Sequence, residues 1–262
     1  MFSNINPLVL VPLFVGVMIQ IALLIIGMFI ITGKINSTKI LGIGFVISAI
    51  LGFIFNVLNL IRNTAGSPEL ISTLSQITNV VSVIATLAGS ICICIFIHKN
   101  YGCKWIYFPI LAQPIVNAIS TVAFIYVFSR MGDAIHYVIG TGLSSGLTAL
   151  VIGAVEAVIL IIVFYKNRNI EKIIPHAWII RLVSFCFYLI LPVSSVVFYT
   201  ICLSAGAGGA DLYFDMSERF LIFQYVYSFF NSLVSLALPV YILVMTKKAE
   251  KKLEETSAYI ED

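Results

Sequence analysis

The stretch Gly153-Ala154-Val155-Glu156-Ala157-Val158-Ile159-Leu160-Ile161-Ile162-Val163-Phe164-Tyr165-Lys166-Asn167-Arg168 holds both features that decide how this chain is read. A continuous apolar run stops on basic residues, and a single carboxylate is set inside it. The run reaches back to Tyr137, and a helix rising about 1.5 Å per residue over 137–165 is long enough to cross about 30 Å of hydrocarbon. The run lacks the period-two alternation of a membrane barrel strand, so a helix is expected. Working outward, six more runs of this kind give spans at about 8–32, 40–61, 70–97, 105–128, 177–204 and 217–245, with a charged tail over 247–262. The expected fold is all-α: a polytopic integral membrane protein built as a seven-transmembrane-helix bundle over residues 1–246.

The connections set the orientation. Assigned alternately to two sides, they place Lys34, Lys39, Lys99, Lys104, Lys166, Arg168, Lys172, Arg181, Lys247, Lys248, Lys251 and Lys252 together, against Arg62, Arg130 and Arg219 opposite. Basic residues beside membrane helices stay cytoplasmic, which predicts a cell-membrane protein with its N-terminus outside and its C-terminus cytoplasmic. Composition agrees: 60% of residues are hydrophobic and only 10% charged, outside the range of soluble domains. The net charge of +3 sits beside the membrane and points to lipid head groups as partners, not to nucleic acid. Met1–Pro7 carries no basic residue and precedes a full-length span, so the first run reads as a retained helix and not a cleaved signal. Of the five cysteines, only Cys202 approaches the outer side, so no structural disulfide is expected. Cys92 and Cys94 are two apart and point in different directions on a helix, a poor arrangement for metal.

Short connections such as Gly33-Lys34-Ile35-Asn36-Ser37-Thr38 favour antiparallel neighbours. Seven spans permit a three-plus-one-plus-three layout. Gln20, Leu23-Leu24-Ile25-Ile26 and Phe29 are echoed by Glu156, Ile159-Leu160-Ile161-Ile162 and Phe164, and Asn79 and Asn231 fall at similar depths. Such a layout resembles the parallel repeats of secondary transporters, the SWEET proteins among them, although Leu/Ile runs also recur by chance. In the tail, Glu250 and Glu254 form a like-charge i,i+4 pair and Lys251 with Glu255 an opposite-charge one, on a continuing solvated helix.

Glu156 is the one ionisable residue well inside a span, nine residues before Tyr165 and so about 13 Å from the inner helix end. A carboxylate facing lipid there costs about 2.5–3.5 kcal/mol, so it is expected to face the bundle interior. There it either serves a solute or a proton, or simply glues two helices by a hydrogen bond. Gln20, Asn56, Asn59, Asn79, Gln113, Asn117, Gln224 and Asn231 add amides that need partners where water is scarce. Pro12, Pro109, Pro114, Pro192 and Pro239 interrupt spans and predict kinks.

Catalytic patterns find no support. Gly142-Leu143-Ser144-Ser145-Gly146 fits the G-x-S-x-G of serine hydrolases, and rhomboid proteases also carry a small serine motif. The hydrolase meaning needs a strand-turn-helix context, and His98, His136 and His176 all lie in connections, away from any intramembrane serine. No H-E-x-x-H occurs. The chain is therefore not expected to be an enzyme, nor to hold a metal or cofactor.

Two classes of function remain. The first is a transporter or solute-handling protein with a midplane site of Glu156, Asn117, Gln20, Asn79 and Asn231, taking a small solute or ion. The second is a seven-helix receptor. Asn231 with Leu238-Pro239-Val240-Tyr241 resembles the seventh-helix pattern of G-protein-coupled receptors, but His98-Lys99-Asn100-Tyr101 stands where their Asp/Glu-Arg-Tyr would be. A non-catalytic accessory subunit bound to another membrane protein is a third reading. Solute handling leads.

Overall fold

A computed structural model describes residues 7–64, 67–112, 114–116, 119, 134–168, 174–205 and 209–261, and every regular element among them is helical. The long helices are α1 (Pro7–Thr32), α2 (Lys39–Thr64), α3 (Pro68–Tyr101), α4 (Ala134–Lys166), α5 (Ala177–Ser204), α6 (Gly209–Ser235) and α7 (Ala237–Glu261). Single 3-10 turns at Asn36–Thr38 and Lys104–Ile106 sit in two connections. Among the described residues, six stretches are long and apolar enough to span a membrane: Leu13–Thr32, Asn36–Arg62, Gln76–Tyr101, Gly146–Lys166, Ala177–Ser204 and Ile222–Thr256. The span expected over 105–128 lies mostly outside the described residues.

Local chemistry accounts for the helix ends. Ser67 caps α3, its hydroxyl accepting from the Leu70 N–H at 3.2 Å, and Pro68 follows where its missing N–H costs nothing. Gly102 ends α3 in the left-handed region, φ 69°, with its N–H bonded to the His98 carbonyl.

The α1–α2 seam is close because it is built on glycine. A Cβ on Gly27 would lie 2.8 Å from the Gly42 carbonyl oxygen, and one on Gly42 would lie 2.9 Å from that of Gly27. Such small-residue contacts let membrane helices approach backbone to backbone. Outward, α1 exposes Phe14, Met18, Ile25, Met28 and Phe29, and α2 exposes Ile50, Phe53, Ile54 and Val57, an apolar surface suited to lipid.

The last span, expected as one helix over 217–245, lies within one apolar stretch, Ile222–Thr256, that carries a one-residue break at Leu236 between α6 and α7. Pro239 supplies no N–H to the Ser235 carbonyl, and its ring crowds that carbonyl. The backbone adjusts upstream. The Leu236 N–H turns to the Leu233 carbonyl at 3.2 Å, and the Ser235 hydroxyl takes the Ser232 carbonyl at 2.6 Å instead.

The largest apolar core joins the helix ends nearest the lysine-rich connections. It includes Ile30 of α1, Cys94, Phe96 and Ile97 of α3, Ile106, Leu160 of α4, Ala177 of α5 and Ile242 of α7. Beside it α7 is fastened to the α1–α2 connection. The buried Glu250 carboxylate accepts the Lys34 backbone N–H at 2.6 Å and the Lys247 ammonium at 2.7 Å. Lys34 also donates from its side chain to Glu254 at 2.8 Å, a bond that holds its ammonium above the usual lysine range. Thr246 and Thr38, both fully buried, pair their hydroxyls at 3.4 Å.

Candidate functional site

Glu156 lies on α4, ten residues before Lys166 and so about 15 Å from that helix end. Its neighbours at 153 and 157 are Gly and Ala, which lets α5 come close. A Cβ at Gly153 would sit 2.5 Å from the Tyr188 hydroxyl, so only glycine leaves room for that ring. Tyr188 uses the space to donate to the Ala149 carbonyl at 3.0 Å, pinning α5 to α4.

Facing Glu156 across this seam is Arg181, four residues into α5. Its Nη2 stands 3.9 Å from Glu156 Oε1, with the two side chains 30% and 12% exposed respectively. The pair is at the limit of ion-pair contact. Among the described residues, neither side chain makes a hydrogen bond, so the donors of the guanidinium and the acceptors of the carboxylate are not taken up by those residues.

Both charges line one cavity of about 320 Å³. Its polar wall adds Ser184 and Tyr188 of α5, and Asn231 and Ser235 at the end of α6. Its apolar wall comes from Phe45, Ile93, Phe185, Val234, Leu238 and Pro239. The break at Leu236 therefore falls in the cavity wall. Arg181 also borders an apolar pocket of about 40 Å³ lined by Leu41, Leu160, Phe164, Ile174 and Ile242. Low polarity there strengthens any electrostatic contact the guanidinium makes.

A second proline shapes the opposite half of α5. Pro192 offers no N–H to the Tyr188 carbonyl. The buried Tyr227 of α6 reaches across and donates to the Phe187 carbonyl at 2.9 Å and the Tyr188 carbonyl at 3.4 Å. The turn before the proline is thus served by a side chain from the neighbouring helix.

Of the residues expected to form the site, Glu156 and Asn231 line the same cavity. Gln20 does not line it. It packs on Gly52 of α2, while Asn56 of α2 packs on Gly16 of α1, so the two amides fill reciprocal notches of the α1–α2 seam. Gln20 Oε1 is buried there and takes no hydrogen bond from the described residues. Asn79 lies on α3 fourteen residues from the cavity-lining Ile93, about 21 Å along the axis, and does not line the cavity. Asn117 and Gln113 lie outside the described residues. The Gly142–Gly146 stretch lies within α4, where a Cβ on Gly146 would meet Val196 of α5 at 3.2 Å, a packing contact.

Sequence reasoning missed Arg181 and grouped it with the cytoplasmic loop charges. The signal was present: Arg181 follows Ala177-Trp178-Ile179-Ile180 and precedes Leu182-Val183, so it is inside an apolar run, one helical turn from its end. An arginine side chain is long enough to reach deeper than its own Cα.

Fold and site together define the class: a multi-pass, α-helical integral membrane protein with a charge-lined cavity. Compared with known protein families, curated proteins and solved structures, the chain matches none.

Proposed function

We propose that this protein binds a small polar solute within the membrane and moves it across, with Glu156 at the centre of the site. One observation carries the reading: two opposite charges and an amide from α4, α5 and α6 line a single cavity beside the one-residue break at Leu236. Ionisable residues at membrane depth are expensive and ordinarily mark substrate or ion pathways. Interrupted helices beside such residues are the usual place for transporter sites, because their freed backbone groups can face a cavity. In this reading Asn231 and the serines orient the solute, the lysine-rich end is cytoplasmic and the N-terminus is outside.

The test uses the purified full-length chain in detergent. Its Tm is recorded against separate panels of amino acids, sugars, organic acids and inorganic cations, for wild type and Glu156→Gln. At least one compound is expected to raise the wild-type Tm and to leave the variant unmoved. If no compound shifts the wild type, or if the variant responds equally, solute handling centred on Glu156 is wrong.

A further inference from the structure

The charge arrangement of the cavity narrows the class of solute. We propose that the solute is a zwitterion of α-amino-acid type, its ammonium taken by Glu156 and its carboxylate by Arg181; this rests on the solute-handling reading above.

The argument is one of charge balance. Among the described residues, the two ions are each other's only charged partner in the cavity, since no other acidic or basic residue there lines it. A simple cation that paired with Glu156 would leave Arg181 without its counter-ion in the cavity, and a simple anion on Arg181 would strand the deeper Glu156. An unpaired buried charge is strongly destabilising. A zwitterion satisfies both ends and keeps the cavity neutral. Separation supports this. At 3.9 Å, the ions attract but do not form with each other the short charge-assisted bonds of about 2.7–2.9 Å that a good carboxylate–guanidinium pair makes. A bound ammonium and carboxylate can make those bonds, so the solute exchanges one loose contact for two tight ones.

Size agrees. About 320 Å³ is at the small end of ligand pockets, which run from about 300 to 1,000 Å³. Ser184 and Asn231 supply neutral hydrogen-bonding groups for a short polar side chain, whereas Phe45 and Ile93 close the apolar side.

Three matched probes decide the matter: L-serine, ethanolamine, which lacks its carboxylate, and 3-hydroxypropionate, which lacks its ammonium. L-alanine, ethylamine and propionate repeat the comparison without the hydroxyl. Each is titrated against the full-length protein in detergent at neutral pH, with Tm and calorimetric affinity as readouts. The amino acids are expected to bind at least tenfold more tightly than either single-charge analogue. Glu156→Gln and Arg181→Gln are each expected to erase that preference. Should a single variant fail to fold, Glu156→Gln/Arg181→Gln removes both charges and strands neither, and it must lose the amino-acid response while remaining folded. Equal binding of an amine or an acid overturns the zwitterion assignment and leaves solute handling standing. Binding only of sugars or inorganic cations does the same. Silence from every compound, including the broad panels, overturns both.

Discussion

Removing Arg181 should damage the fold more than removing Glu156, and removing both should do less harm than removing Arg181 alone. At 3.9 Å and an effective dielectric of about 20, the pair attracts by about 4 kcal/mol. Breaking a buried pair by deleting one partner typically costs about 3–5 kcal/mol, because the survivor keeps its charge without its neighbour. The survivors differ. Glu156 is short, 12% exposed and ten residues from the helix end, so Arg181→Gln leaves it stranded at a cost of about 3–4 kcal/mol. Arg181 is 30% exposed and one turn from the start of α5, so after Glu156→Gln it can bend toward the interface, which holds the loss to about half that value. With both charges neutral the stranded ion vanishes, and the double variant should lose only about 1 kcal/mol of packing and polar contact. The assay is reversible unfolding of the full chain in bicelles by sodium dodecyl sulfate, followed by circular dichroism. The reasoning is refuted if Glu156→Gln is the more damaging single change, or if the double variant loses the sum of the two.

Three further outcomes follow from the geometry. Tyr227→Phe should cost about 1 kcal/mol by removing the hydroxyl that serves the Phe187 and Tyr188 carbonyls, and somewhat less in a Pro192→Ala background, where a backbone N–H is restored to the Tyr188 carbonyl alone; a double-mutant cycle measures the difference. Gly27→Leu should destabilise by about 3 kcal/mol, since its Cβ alone meets the Gly42 backbone at 2.8 Å and neither helix can yield; its unfolding midpoint in the same assay checks this. A green fluorescent protein fused after Asp262 should fluoresce in a bacterial host, while alkaline phosphatase at the same point stays inactive; the reverse pattern would invert the proposed orientation.

Most of the scaffold could be read from apolar length. The helices α1, α2, α3 and α5 coincide closely with runs in the sequence, because crossing hydrocarbon demands a minimum number of apolar residues whatever the partners are. The site was only half legible. Depth along a helix follows from counting, and that put Glu156 and Asn231 at levels where they line one cavity. Which way a side chain faces around the helix depends on its neighbours, and sequence alone does not provide them. Gln20 has a depth suitable for a site, yet it faces Gly52 because α1 and α2 approach through their glycines. The tail shows the same limit. Glu250 and Glu254 look mutually repulsive in sequence, but Lys34, 216 residues before Glu250, is folded against both and removes the conflict. Pro239 announced an irregularity, although the break itself falls three residues earlier, where the chain reroutes its carbonyls.

That break and the fastening of the tail have a joint mechanical meaning. Between Leu236 and Glu250, α7 is a stiff arm of about 21 Å, hinged where the cavity wall is and tethered to the α1–α2 connection at its other end. Leu238 and Pro239 ride on this arm one turn from the hinge. A swing of α7 about Leu236 would be magnified several-fold at Glu250, and the bond to the Lys34 backbone is placed to resist it.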